Sequence, residues 1–303
     1  MDKKLITVFT PTYNRIKLLA HCYESLKRQT CRDFVWLIVD DGSTDDTAGQ
    51  VQRWMQDADF QIRYLRKENG GLHTAYNAAI AVMDTELAVC VDSDDYLTDD
   101  AIAAIADKWR REGSRDHAGI VALNRTREAE VLGRYLPDLP AAHIIELYCL
   151  HHCRSDLKMI YRTQLLQQEG PIPVFGQEKH MNPYYLFLKI DQKLPMLILN
   201  RAVCVVNYQS DGMSSDIFRQ YVDSARSFAE LRLMMVSMER ASAWYILKNT
   251  VHLVSSALLS GNPGLMFRSP HWAASVLMLG PGLLLAIITK FLYKWKYEDR
   301  RQR

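Results

Sequence analysis

Continuous apolar runs alternate with amphipathic stretches through the first 125 residues, and this alternation constrains the fold more than any other feature. The runs are Leu5–Phe9, Phe34–Val39, Ile62–Leu65, Leu87–Val91 and Gly119–Leu123. They are unbroken rather than alternating with polar residues, as expected of strands covered on both faces. Between them Leu19, Tyr23 and Leu26 share one helical face, as do Val51, Trp54 and Met55. Ala75, Ala78, Ala79 and Val82 follow the helical period, and so do Ile102, Ile105, Ala106 and Trp109. Ser43-x-x-Asp46 reads as a capping box, and Thr98 ahead of Asp99 and Asp100 as another helix start. Strand and helix repeated in this way predict an α/β fold, a parallel sheet with helices on both faces. Such sheets bind ligands at the carboxyl ends of their strands.

The rest of the chain is organised differently. Residues 126–215 hold short apolar runs, Leu157–Tyr161, Met196–Leu199 and Val203–Asn207, broken by prolines. They are expected to extend the sheet. From about Ile217 to Gly261 the pattern is helical and rich in Met. Residues 1–215 are therefore expected to form one domain, with 1–125 and 126–215 as its two parts. Residues 216–303 form a helical C-terminal region.

Trp272 to Thr289 is a stretch of 18 uncharged residues, at the lower limit for a membrane span. Gly280-Pro281-Gly282 predicts a break in its middle. A membrane-surface or re-entrant hairpin is the preferred reading, with Lys290, Lys294, Lys296, Arg300, Arg301 and Arg303 beside anionic headgroups. A buried terminal helix is the plainer alternative. The formal net charge of +2 gives no reason to expect a nucleic acid partner. Six scattered cysteines without a C-x-x-C pair fit reduced thiols. The N-terminus lacks a signal peptide's apolar region. The expected location is cytoplasmic, at the inner face of the plasma membrane.

Four polar clusters fall just after predicted strands. They are Thr10-Pro11-Thr12-Tyr13-Asn14-Arg15, Asp40-Asp41-Gly42-Ser43, Lys67-Glu68-Asn69-Gly70-Gly71-Leu72-His73 and Asp92-Ser93-Asp94-Asp95. Three carboxylates within four residues repel one another, so stability does not explain the last. Carboxylates suit Mg²⁺ or Mn²⁺, which commonly share their coordination with substrate phosphates. The plain alternative is a solvated acidic loop. Asp40 and Asp41 end a strand where a carboxylate can accept from a base N–H or a ribose hydroxyl. Gly70-Gly71 ahead of a helix lets backbone approach an anion, though Asn-Gly-Gly is also an ordinary turn.

Taken together, the clusters resemble family 2 glycosyltransferases with the GT-A fold, the type that builds bacterial surface polysaccharides. The resemblance covers about residues 5–100 closely and extends weakly to about 215. It implies a Rossmann-like, mixed but mostly parallel sheet, and a nucleotide-sugar donor, usually a UDP-sugar. It also implies that Pro11, Thr12 and Tyr13 line the base, and that Asp41 with Asp40 holds the base or ribose. Asn69 and Gly71 would lie beside the ribose and diphosphate. Asp92 and Asp94 match the D-x-D motif, with Asp94 as metal ligand, Asp92 nearer the ribose and Asp95 their neighbour.

An inverting transferase needs a base for the acceptor hydroxyl. The family resemblance points to Glu178 in Pro173-Val174-Phe175-Gly176-Gln177-Glu178-Lys179-His180, with Asp191 as the second candidate. Many relatives carry Glu-Asp where this chain has Glu-Lys. Asp211-Gly212-Met213-Ser214 resembles a loop beside the acceptor, a saccharide or lipid-linked saccharide. Two other readings are a non-catalytic nucleotide-sugar binding protein and a nucleotidyltransferase. The latter typically carries a Gly-rich loop with Arg or Lys where this chain has Thr10-Pro11-Thr12-Tyr13.

Overall fold

The computed structural model describes residues 3–207 and 217–298. The alternating region forms β1 (Ile6–Thr12), α1 (Ile16–Lys27), β2 (Phe34–Asp40), α2 (Thr47–Asp57), β3 (Gln61–Arg66), α3 (Leu72–Val82) and β4 (Leu87–Cys90). A two-residue β5 (Tyr96–Leu97), α4 (Ala101–Glu112) and β6 (Gly119–Arg125) follow. β7 (Ala141–Ala142), α5 (Ile144–Cys149), β8 (Leu157–Arg162), α6 (Thr163–Glu169), α7 (Tyr184–Asp191) and β9 (Met196–Val205) complete the sheet region.

Among the described residues the sheet has nine strands, ordered β3-β2-β1-β4-β8-β6-β9-β5, with β7 also on β9. β1 to β4 run parallel, β8 runs against β4 and β6, and β6 and β9 are parallel again. Most strands therefore point one way, as expected. All seven residues of β1 and all seven of β2 are buried, which is why their apolar runs are continuous. Tyr23 of α1 stacks on Trp54 of α2 with ring centroids 4.6 Å apart, and Trp54 meets Trp36 of β2 at 5.8 Å. The Trp36 indole donates to the Thr10 hydroxyl at 3.0 Å, and the Tyr23 hydroxyl donates to Asp57 at 3.3 Å, so both buried polar edges are satisfied.

Three local expectations need correction. α2 begins at Thr47, and Asp46 makes no side-chain cap bond, because the Ser43 hydroxyl accepts from Asn14 N instead. At α4 the N-cap residue is Asp100, again without a side-chain cap bond. The two apolar runs at Met196–Leu199 and Val203–Asn207 belong to one strand, β9. Its pairing with β6 slips around Leu123, which leaves Asn200 and Arg201 exposed between them.

The described residues form two compact units. One comprises residues 3–171 with 193–207, and the other 172–192 with 217–298. A single cut at 215 therefore divides the chain differently from its packing. Residues 172–192 join the helices because α7 buries Leu186, Leu188 and Ile190, and Gln192 reaches the sulfur of Met238 at 3.3 Å.

The second unit adds α8 (Ile217–Asp223), α9 (Ala225–Val236), α10 (Ala243–Leu259), a 3-10 turn (Pro263–Arg268), α11 (Trp272–Leu277) and α12 (Leu279–Tyr293). The apolar stretch breaks at Met278 rather than at Gly280-Pro281-Gly282. Pro281 lies in the first turn of α12, where its missing N–H costs no helical bond. A Cβ on Gly282 would lie 2.4 Å from Val254 Cγ1, so this glycine lets α12 pack closely on α10. Among the described residues no helix is long and apolar enough to cross a membrane.

Candidate functional site

The first two clusters are joined by Asn14. It adopts a left-handed conformation, φ 52°. Its side-chain oxygen accepts from Thr44 N at 2.7 Å and Asp45 N at 3.3 Å, and its own N–H donates to Ser43 Oγ at 2.9 Å. Asn tolerates this backbone better than most side chains do. Beside it Pro11 and Thr12 are buried in the last turns of β1, and Tyr13 is 46% exposed. The Thr12 hydroxyl is buried with no hydrogen-bond partner, which is uncommon and favours a ligand group at this strand end.

The acids ending β2 are both hydrogen-bonded, Asp40 twice and Asp41 four times. Asp40 Oδ1 accepts from Ser43 N at 2.7 Å, and Oδ2 accepts from the Tyr64 hydroxyl at 2.5 Å. Burial, and then the bonded Asp40, hold the Tyr64 phenol above its ordinary range. Asp41 Oδ1 accepts from Lys67 Nζ at 2.6 Å and Gly70 N at 3.0 Å. Its Oδ2 accepts from Gly71 N at 2.8 Å and Asn69 Nδ2 at 3.1 Å. A carboxylate has about four lone-pair directions, so none of Asp41's is left for a base or ribose. In this structure Asp41 holds the loop of the third cluster through these four bonds. Gly42 has φ +85°, and a Cβ there would lie 3.0 Å from Asn69 N, so the second and third clusters meet through it.

The acidic cluster after β4 has two internal cations that sequence reasoning did not assign. Arg15 donates to Asp94 Oδ2 at 2.9 Å, tying the first cluster to the fourth. Lys158 of β8 lies beneath the loop, 8% exposed, with Nζ 3.3 Å from Cys90 O and 3.8 Å from Asp95 Oδ2. Asp95 is 6% exposed and also accepts from Asn207 N at 3.1 Å. Burial pushes the Asp95 carboxyl up to about 6; Lys158 opposes this and Asp92 adds to it. Asp92 reaches solvent, yet protein atoms packed around it push its carboxyl up; Lys158 opposes this and Asp94 adds to it. For Lys158, burial weighs against the charge, and Cys204, Asp95 and Asp92 outweigh it, so the ammonium stays charged. The alternation of β8 groups Lys158 with Arg162 on its polar side, so nothing local in the sequence marked it as buried.

The candidate bases lie in the second unit. Glu178 Oε1 accepts from Arg226 N at 3.0 Å; Oε2 accepts from Ser227 N at 2.7 Å and Ser227 Oγ at 2.6 Å. It thus caps the start of α9. Asp191 is 2% exposed at the end of α7. Asp211 to Ser214 lie outside the described residues.

Among the described residues no three His, Cys, Asp or Glu side chains converge as metal ligands, so no closed protein cage is formed. Asp92 and Asp94 nonetheless fit a hard cation. They are carboxylates on one short loop, close enough to raise Asp92 by charge repulsion. A cation completing its shell with phosphates needs no more from the protein.

The description "Glycosyl transferase family 2" matches residues 7–172, more than half of the chain. The chain belongs to glycosyl transferase family 2. This family 2 chain is 30% identical over 152 residues to a chondroitin synthase of Escherichia coli, covering 50% of this chain and 22% of that protein. It is 37% identical over 103 residues to the glycosyltransferase GlyG of Streptococcus pneumoniae, covering 34% of each. It spans about a fifth of the first and a third of the second. Among solved structures, S. aureus TarS 1–349 with UDP-GlcNAc aligns at a TM-score of 0.61 and 19% identity, over 92% of this chain and 80% of that one. The mannosyltransferase PcManGT of Pyrobaculum calidifontis, solved with GDP-Man and Mn²⁺, aligns at 0.55 and 17%, over 95% and 88%. These likenesses show the GT-A fold for the family 2 chain.

Proposed function

We propose that the chain is an inverting glycosyltransferase. It moves a sugar from a nucleotide-diphosphate sugar, a UDP-sugar by preference, to a saccharide or lipid-linked saccharide in surface polysaccharide synthesis. The observation that carries this reading is the loop after β4, where Asp92 is exposed, Arg15 pairs with Asp94 and buried Lys158 lies beside Asp95. The chondroitin synthase likeness and the TarS structure with UDP-GlcNAc support the donor class.

Asp94 and Asp92 would hold Mg²⁺ or Mn²⁺, which when bound offsets the charge of the diphosphate leaving group. The chain's own groups do the rest. Tyr13 offers an exposed ring to the base and the Thr12 hydroxyl an unmade bond. Asp41 shapes the Asn69–Gly71 loop, where backbone lies close to the ribose and diphosphate. Glu178 takes the acceptor proton; α9 fixes its orientation, and three accepted bonds leave it one lone-pair direction.

The same three bonds favour the second reading, a nucleotide-sugar binding protein, in which Glu178 only caps a helix. Release of nucleotide diphosphate from UDP-, GDP- and dTDP-sugars, with Mn²⁺, Mg²⁺ or EDTA, separates the two. Metal-dependent release lost in Asp94→Ala supports the enzyme. Tight donor binding without release supports the binder.

We further place the second unit on an anionic membrane surface at the cytoplasmic face. α12 buries its small residues, Gly282, Ala286 and Thr289, and exposes Leu283, Leu284, Ile287, Ile288 and Phe291. Trp272, Leu277 and Trp295 extend this apolar surface, with Lys290, Lys294 and Lys296 nearby in the chain. An interfacial helix has this character.

A further inference from the structure

The strand ends opposite the four clusters frame a cavity of about 610 Å³. It is lined by the segment before β1, the turn before β4, the end of α4 and the junction of β8 with α6. Glu86 on its wall and Asp92 in the acidic loop lie at opposite ends of β4, roughly 20 Å apart at the rise of an extended strand. The cavity is therefore separate from the proposed donor site.

Its charges do not balance. Arg162, Arg115, Lys3 and Lys4 line it, and among the described residues none of their side chains makes a hydrogen bond or ion pair. The acids on the same wall are already taken. Asp33 accepts from Leu5 N at 2.9 Å and pairs with Arg110. Asp84 pairs with Arg63 at 3.0 Å, and Glu86 accepts from the Trp109 indole at 2.7 Å. The lining carries five cationic side chains, Lys3, Lys4, Arg110, Arg115 and Arg162, against these three acids, and the charges of Lys3 and Asp84 and of Arg162 and Glu86 also act on one another.

Two adjacent donors in this wall are also orphaned. Arg162 Nε and the Thr163 hydroxyl are buried with no hydrogen-bond partner, and Thr163 is 3% exposed. A buried donor left unmade is costly and rare, so two at neighbouring positions point to a missing acceptor. Burial first, and then Arg115's charge, pull the Arg162 guanidinium below its ordinary value. An anion between the two arginines would relieve that repulsion.

We propose that this cavity is a second anion site, which takes a small phosphate-bearing ligand between Arg162 and Arg115. The guanidinium of Arg162 presents a planar fork that matches phosphate oxygens, and the Thr163 hydroxyl adds a neutral donor. Lys3 and Lys4 supply point charge at the rim.

Calorimetric titration of the full chain with inorganic pyrophosphate tests this, in EDTA so that no divalent ion recruits pyrophosphate to the acidic loop. Wild type is expected to show one saturable, salt-sensitive site. Arg115→Gln with Arg162→Gln is expected to weaken it at least tenfold, and Arg162→Lys to weaken it less. All variants should keep the wild-type thermal midpoint without pyrophosphate. Absence of saturable binding to wild type, or a double variant that is folded and binds as tightly, overturns the proposal. Neither result bears on the donor-site reading, which is tested by nucleotide release.

Discussion

The guanidinium of Arg15 donates to Asp94 Oδ2 at 2.9 Å, so the acid expected to hold a cation is already paired. A divalent ion can take Oδ1 while Oδ2 stays paired, but the guanidinium's charge beside it opposes binding. The pair is partly exposed, 29% and 18%, so it is worth no more than about 1 kcal/mol. Arg15→Gln is therefore expected to tighten Mn²⁺ binding without donor by about threefold to fivefold. Titration of Mn²⁺ against the two proteins reads this directly. Weaker binding in the variant would mean that Arg15 helps to shape the loop rather than competing for it.

Lys158 has the opposite role. Removing a buried charge leaves its partner uncompensated, so Lys158→Met is expected to destabilise the fold by about 3 kcal/mol, a fall of roughly 10 °C in Tm. Lys158→Arg should recover part of the loss. A Lys158→Met protein that melts with wild type would show that Asp95 is satisfied by Asn207 N alone.

Asp95 gives a pH dependence with a definite sign. Its folded carboxyl is pushed up to about 6, from an ordinary value of 3.8. Between those values the unfolded chain releases the proton first, so the folded state loses stability as pH rises through this window. The neutral Asp95→Asn variant lacks that loss. Its Tm relative to wild type should therefore be higher at pH 7 than at pH 4. An unchanged difference would place Asp95's carboxyl in the ordinary range.

Glu178 separates base from cap. Glu178→Gln keeps one acceptor oxygen for α9 but cannot take a proton. As base, its loss should lower kcat by about 10²–10⁴ with donor affinity unchanged. As cap alone, the change should cost about 1 kcal/mol of stability and leave turnover near wild type.

The exposed face of α12 makes a prediction about membranes. Leu284 and Ile287 are 59% and 56% exposed, so Leu284→Glu with Ile287→Glu should leave Tm nearly unchanged. Co-sedimentation with vesicles containing phosphatidylserine should fall strongly. Retained binding would assign any membrane contact to another surface.

Much of the first unit was legible because its signals are local. The runs that became β1 and β2 are apolar throughout, since both faces are covered, and the four clusters stand where those strands end. The acids of the D-x-D motif were visible as mutual repulsion without a local remedy. Their remedy was not visible, because Arg15 lies 79 positions from Asp94, and Lys158 lies 63 from Asp95 on an antiparallel strand. The helix starts at Ser43 and Thr98 differ from expectation for a related reason: the Ser43 hydroxyl accepts from Asn14 N, and the Thr98 hydroxyl donates to Asp100 Oδ1 instead of capping α4.

By itself the sequence determined the alternating architecture, the placing of polar clusters at strand ends and the amphipathic character of each helix. These follow from periodicity and turn chemistry, which act over a few residues. Only the tertiary structure decided which acids are bound from within by other parts of the chain. Asp41 and Asp95 carry the same group as Asp94 and Asp92. Loops distant in sequence nonetheless supply the N–H groups and the ammonium that bind the first two from within. Tertiary packing likewise decided that α12 buries its glycine and alanine and exposes its large side chains, because Gly282 lets it approach α10 more closely than any larger residue would.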